Sequence, residues 1–243
     1  MPDTHLVTNQ VTPLLDYNPA SSPVLMEALI REGGGWGVDE VTELGAISGS
    51  ATAQRWGDLA DRNRPVLHTH DRYGHRIDEI EYDPAYHELM RTAIAHGLHA
   101  APWADDRPGA HVVRAAKMGV WTPEPGHVCP ISMTYAVVPA LRHNPDLAAV
   151  YEPLLTSREY DPDLRVPTGK VGITAGMSMT EKQGGSDVRA GTTQAVPNAD
   201  GSYTLTGHKW FTSAANSDVF LVLAQAPGGL SCFFLPRVLP DGS

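Results

Sequence analysis

The most informative stretch of the sequence runs from Gly176 to Asp187 and reads Gly-Met-Ser-Met-Thr-Glu-Lys-Gln-Gly-Gly-Ser-Asp. Gly184 and Gly185 permit close approach of backbone to a ligand, and the hydroxyls of Thr180 and Ser186 with nearby N–H groups suit a phosphate or a polar ring edge. Neither the G-x-G-x-x-G spacing nor a Gly-Lys-Ser/Thr follows, so the dinucleotide fingerprint and the P-loop are both excluded. By residue type alone, a ligand loop and a plain glycine-rich turn stay open. A second stretch, Gly207-His208-Lys209-Trp210-Phe211-Thr212-Ser213-Ala214, sets two aromatics beside two hydroxyls. Such a group can stack on a flat heterocycle and hydrogen-bond to it, and it can equally be a packed aromatic pair on a strand.

Other residues suggest different chemistry. His68, His70, Asp71 and His75 resemble a metal-ligand cluster, since His68 and His70 share a face on a strand. The alternating strands and helices of His-x-His metal hydrolases are missing, so an exposed hairpin without metal is expected. Cys129 and Cys232 are far apart and belong to no C-x-x-C pair, which points to free, buried thiols. Asp105, Asp106, Asp161 and Asp163 read as solvated loop charges.

The elements that position these residues change character along the chain. Residues 1–22 read as an extended arm. Ser22 then caps a helix with Pro23 at its first position, ending at Gly33-Gly34-Gly35. Helical period continues over 38–62, an irregular hairpin is expected over 66–82, and Asp83-Pro84 opens the clearest helix, with Tyr86, Leu89, Met90, Ala93 and Ile94 on one face. Further helices are expected over 109–121, 128–141 (bent or ended by Pro139) and 146–156. After residue 170 short apolar runs at 171–177, 192–196, 203–206, 219–225 and 230–235 alternate with turn residues, which suggests an antiparallel sheet or barrel. A unit ending in the turn signal 240–243 would leave an open edge, hinting at truncation and low stability. Two domains are expected, 1–170 and 171–243.

Composition supports this division. Residues 1–170 carry 14 Lys/Arg against 23 Asp/Glu, while 171–243 carry four against five. The net charge of -10 disfavours nucleic acid and anionic membrane surfaces as partners. Hydrophobic residues make up 42%, enough for a sizeable core. The start of the chain has neither a basic segment nor an apolar run of signal-peptide type, and nothing approaches a membrane-spanning length, so a cytoplasmic protein is expected.

Taken together, the two stretches resemble the signature motifs of the acyl-CoA dehydrogenase superfamily: Thr180-Glu181 followed by small residues and Ser186-Asp187, and a Gly-x-Lys motif in which Phe211-Thr212-Ser213 stands where Trp-Ile-Thr is usual. Residues 31–36, 129–134, 176–188, 208–211 and 228–234 further resemble the AidB-type, alkylation-response branch. The resemblance covers nearly the whole chain. It implies an α+β fold, with an N-terminal all-helical domain, then an antiparallel β-barrel domain that is incomplete here, then a C-terminal helical domain that is absent.

The resemblance also implies FAD as cofactor. Main chain from Met177 through Ser178 and Met179 to Thr180 would line the isoalloxazine, with Thr180 on its pyrimidine side. Ser186 would contact the pyrophosphate, Phe211 would lie near the ring and Ser213 near its N5 edge, with Gly184, Gly185 and Thr212 also expected among the cofactor-binding residues. Phe211 offers less stacking area than the usual Trp. The implied reaction removes an α proton by a carboxylate and transfers the β hydrogen of an acyl thioester to the flavin. In most of the family that base comes from the C-terminal domain, so no catalytic residue is assigned here, and Glu181 is expected to be a structural carboxylate capping backbone N–H groups. The alternative implied by the branch is a non-catalytic or DNA-repair-associated flavoprotein. A homo-oligomer is expected for the full-length form.

Overall fold

The computed structural model describes residues 4–242; residues 1–3 of the expected arm and Ser243 of the closing turn lie outside them. Helices dominate to residue 155 and strands follow from 175. The helices are α1 (Pro23–Leu29), α2 (Val38–Ser48), α3 (Ala51–Arg62), α4 (Pro84–Ala95), α5 (Ala101–Ala104), α6 (Ala110–Val120), α7 (Val128–Leu141) and α8 (Pro145–Leu155). A hairpin of β1 (Val66–His70) and β2 (Arg76–Glu81) separates α3 from α4, and its register slips between His68 and His70.

Local sequence explains most boundaries. The Ser22, Ser50, Asp83 and Asn144 side chains each accept a backbone N–H at the start of a helix, the ordinary N-cap arrangement. The span of helical period 38–62 forms two helices. The break falls at Gly49, where a Cβ would sit 1.7 Å from the Tyr17 carbonyl oxygen, and Ser50 caps the second helix. Pro139 does not end α7. It removes the N–H that the Tyr135 carbonyl would have accepted, and the Trp103 indole N–H donates to that oxygen instead at 2.8 Å.

Two apolar clusters meet on α7. Ile131 joins the cluster of α2, α4 and α6, which buries all five expected α4 residues. About two and three turns further on, Val137, Val138 and Leu141 pack with Tyr151 and Leu155 of α8 and with Ala175, Val219 and Leu221 of the sheet. Fully buried Thr134 ties the two parts together, since its hydroxyl donates to the Pro130 carbonyl and accepts the Ala175 N–H at 2.9 Å.

The sheet consists of β3 (Ala175–Ser178), β4 (Gln194–Pro197), β5 (Tyr203–Thr206), β6 (Thr212–Ser213), β7 (Val219–Ala226) and β8 (Gly229–Pro236). It is mixed, which corrects the expected antiparallel arrangement. β7 pairs antiparallel with β8 along its length, but parallel with β3 at one end and with β4 at the other. The path β5-β4-β7-β3-β6 with β8 beside β7 does not close among the described residues. β3 also begins later than the apolar run 171–177 suggests, because Ile173 N–H binds the Leu154 carbonyl and Thr174 N–H binds the Asp218 carboxylate. Both cysteines are exposed, not buried as expected. No helix among the described residues is long and apolar enough to cross a membrane.

The Thr134 link is testable. Thr134→Val leaves the buried Ala175 N–H without an acceptor, and should lower unfolding stability by about 1–3 kcal/mol in urea titration. Thr134→Ser keeps the hydroxyl and should restore most of it.

Candidate functional site

Glu181 follows β3 and is 3% exposed. Three donors reach each of its oxygens. Oε2 accepts from Thr192 N (2.7 Å), Thr192 Oγ1 (2.9 Å) and Gln183 Nε2 (2.8 Å); Oε1 accepts from Thr193 N (2.9 Å), Thr193 Oγ1 (2.7 Å) and Lys209 Nζ (2.9 Å). The Thr192 backbone N–H, then the Lys209 ammonium and the Thr193 donors, hold this carboxyl far below the ordinary glutamate range. A carboxylate so occupied has no role as a proton acceptor, in keeping with the structural role expected for it. Lys209 also reaches the Met179 carbonyl at 3.4 Å, and the Trp210 N–H donates to the Thr180 carbonyl at 2.9 Å. Both conserve the same outcome, that the two motif stretches are fastened side by side.

Beyond that fastening the stretches pair as strands. Met177 faces Ser213 and Ser178 faces Thr212 across β3 and β6. Alternation then sorts the side chains. Met177 and Met179 lie on the face packed toward α7 and α8, and Ser213 shares the face of Met177. Ser178 and Thr212 point the other way, where their hydroxyls meet at 2.5 Å, and both line an open cavity of about 580 Å³ with Leu205, Phe220, Val222 and Leu235. Only the main chain of these two can therefore serve a ligand on the Ser213 face.

The remaining expected residues fall around this strip. Gly184 exchanges both backbone hydrogen bonds with Glu181 in a tight turn. Gly185 packs on Thr180, where a Cβ would lie 2.6 Å from Oγ1, and Ser186 is exposed in the loop beyond. Phe211 is 64% exposed, so it is no part of the core. Sequence reading missed the Thr192–Thr193 cup for Glu181. Its trace is the adjacent hydroxyl pair, together with Gly207, where a Cβ would fall 2.4 Å from Thr193 Oγ1.

The histidines of the hairpin engage carboxylates in separate pairs, His68 with Glu81 at 2.7 Å and His75 with Asp71 at 2.9 Å. Among the described residues no group of three or more His, Cys, Asp or Glu is placed to hold a metal.

Removing the Glu181 charge strands Lys209 in a largely buried site, so Glu181→Gln should lose about 3–5 kcal/mol of stability, read from the urea midpoint. The pH dependence has a definite sign. A carboxyl depressed on folding contributes its full stabilisation above its unfolded value of 4.5 and loses it as pH falls below that. The wild-type chain should therefore lose stability on acidification below about pH 4.5 more steeply than Glu181→Gln.

The profile of the adaptive response protein AidB N-terminal domain matches residues 9–162, and that of the acyl-CoA dehydrogenase middle domain matches residues 176–243. AidB of Escherichia coli (strain K12) is 46% identical over 98% of this chain and 45% of its own length. Acyl-CoA dehydrogenase family member 11 of Caenorhabditis elegans is 31% identical over 72% of this chain and 28% of its own. Among solved structures, the apo form of Bd2924 superimposes with a TM-score of 0.80 at 30% identity, covering 92% of this chain and 46% of that one. The C. elegans protein ACDH-11, in complex with C11-CoA, gives 0.79 at 28% identity, covering 99% and 43%. The chain thus spans less than half the length of these relatives. From its first helix to its last strand it belongs to the acyl-CoA dehydrogenase superfamily, in the AidB-type branch.

Proposed function

We propose that this chain forms the cofactor-holding front part of an FAD-dependent oxidoreductase of acyl-CoA dehydrogenase type, acting on a CH–CH group of an acyl thioester. The observation that carries this reading is the pairing of β3 with β6, which sets Met177, Met179, Ser213 and the exposed Phe211 beside one short edge strand. A flat ring with polar edges fits such a strip. Phe211 supplies an aromatic face, the methionine thioethers supply polarisable contact, and the Ser213 hydroxyl supplies a hydrogen bond at the ring edge. Thr180, with Gly184, Gly185 and Ser186, supplies the turn beside it.

When bound, FAD would supply a hydride acceptor. The chain's own residues would bind and orient the ring: Phe211 covers it, Ser213 fixes its edge, and the main chain of Met177 to Thr180 presents hydrogen-bonding groups. Glu181 acts one layer behind, keeping the turn and the Phe211 strand in register. No carboxylate of this chain is assigned as the base that removes the α proton.

A second reading, a flavoprotein serving a protective response instead of turning over a substrate, is favoured by the adaptive-response description of the matching N-terminal family. Both readings require the flavin, and the net charge of -10 argues against DNA contact through these residues in either.

The test is absorption spectroscopy of the purified 243-residue chain after incubation with FAD and gel filtration. A flavin band approaching one per chain is expected, reduced about five- to tenfold in affinity by Phe211→Ala, which removes about 1 kcal/mol of ring contact, and further weakened by Ser213→Ala. A chain that leaves all the flavin in the late fractions contradicts the reading.

A further inference from the structure

The helical part of the chain holds a small open cavity of about 30 Å³ that the flavin reading leaves unused. Its ionic lining consists of four cations, Arg107, Arg114, Lys117 and Arg158, and two carboxylates, Glu40 and Asp105. The cavity therefore carries a net charge of +2 in a chain whose net charge is -10. None of these six residues belongs to the two motif stretches.

Both carboxylates are already taken. Lys117, 3% exposed, pairs with Glu40 and also donates to the His96 carbonyl at 3.2 Å. Arg107 pairs with Asp105 at 2.6 Å and lies over the Trp36 ring, 3.8 Å from its centre. Two guanidinium groups are left over. Arg114 is half-buried; its Nε donates to the Leu98 carbonyl at 2.7 Å, and its guanidinium lies 3.6 Å from the centre of the Tyr135 ring. Neither contact supplies a counter-ion, and burial lowers the basicity of this group. Arg158 is seated against Gly97, where a Cβ would lie 3.4 Å from its Cζ, and its side chain makes no ion pair or hydrogen bond among the described residues. A partly desolvated charge without a counter-ion is unfavourable, and an anion between the two groups removes that cost.

Size and donor geometry limit what fits. A cavity this small takes one compact group and not a nucleotide. Guanidinium forks pair with the oxygens of oxyanions through parallel N–H bonds. Two forks arriving from different elements, α6 and the segment after α8, suit an anion with oxygens on several sides better than a planar carboxylate or a bare halide. We infer that Arg114 and Arg158 form a binding site for a small tetrahedral oxyanion of the inorganic phosphate or sulfate class. The bound anion joins α6 to the segment leading from α8 toward the sheet, where His99 already donates to the Ser157 carbonyl at 2.8 Å. The site shares no residue with the flavin strip and does not rest on the flavin reading.

The test is equilibrium dialysis of the 243-residue chain against radiolabelled inorganic phosphate, without flavin and at ionic strength held constant with chloride. Saturable uptake approaching one phosphate per chain is expected, with sulfate as a competitor. Arg158→Gln and Arg114→Gln should each weaken it about tenfold, the loss of one charged hydrogen-bonding partner. Arg72→Gln, on the exposed hairpin, should leave it unchanged. Arg158 is exposed, so its variant is expected to fold, and circular dichroism checks both. As a second readout, phosphate should raise the melting temperature of the wild-type chain more than that of Arg158→Gln. Absence of saturable uptake, or uptake undiminished in both Arg114→Gln and Arg158→Gln, overturns the inference.

Discussion

One buried carboxylate organises the candidate site. Glu181 gathers donors from three separate segments: its own turn through Gln183, the approach to β4 through Thr192 and Thr193, and the approach to β6 through Lys209. A buried charge costs several kcal/mol to desolvate unless its lone pairs are filled. Here they are filled by six donors, and each donor can reach only if its segment is in place. Strand pairing alone would not achieve this, because β6 contributes two residues to the sheet. The carboxylate therefore converts a weak edge strand into a fixed one, and fixes with it the residues on either side.

The same interaction explains the division of labour between adjacent residues. Lys209 is drawn inward to Glu181, Trp210 is held through its backbone by Thr180, Phe211 is left exposed, and Ser213 shares the face of Met177. Behind them, α7 braces β3 through Thr134 and the cluster around Val137 and Val138. The helical part thus supports the sheet at the strand that carries the signature motif.

Much of this was legible in the sequence. The α4 face, the N-caps at Ser22 and Asp83, and the strand run 203–206 follow from local pattern, because each depends on neighbours within a turn or two. The two motifs were legible as residue types, and Glu181 as a capping carboxylate. What local pattern does not contain is long-range pairing. The parallel alignment of β3 with β7 depends on residues more than 40 positions apart. The rescue of the Tyr135 carbonyl by Trp103 explains why Pro139 leaves α7 intact, and it comes from another helix. The face of the sheet taken by Ser178 and Thr212 likewise follows from register, which a two-residue strand does not reveal in isolation. The cysteines show a different limit, since their type suggested burial while their positions on element surfaces left them exposed.

The most direct test of the account is amide hydrogen exchange of this chain with and without FAD. The account predicts that FAD slows exchange in two separated stretches together, residues 177–186 and 210–213, with little change in the hairpin at 66–81. Protection confined to one stretch, or spread over the helices while both motif stretches are unchanged, would contradict the claim that Glu181 holds the two motifs as a single flavin-binding unit.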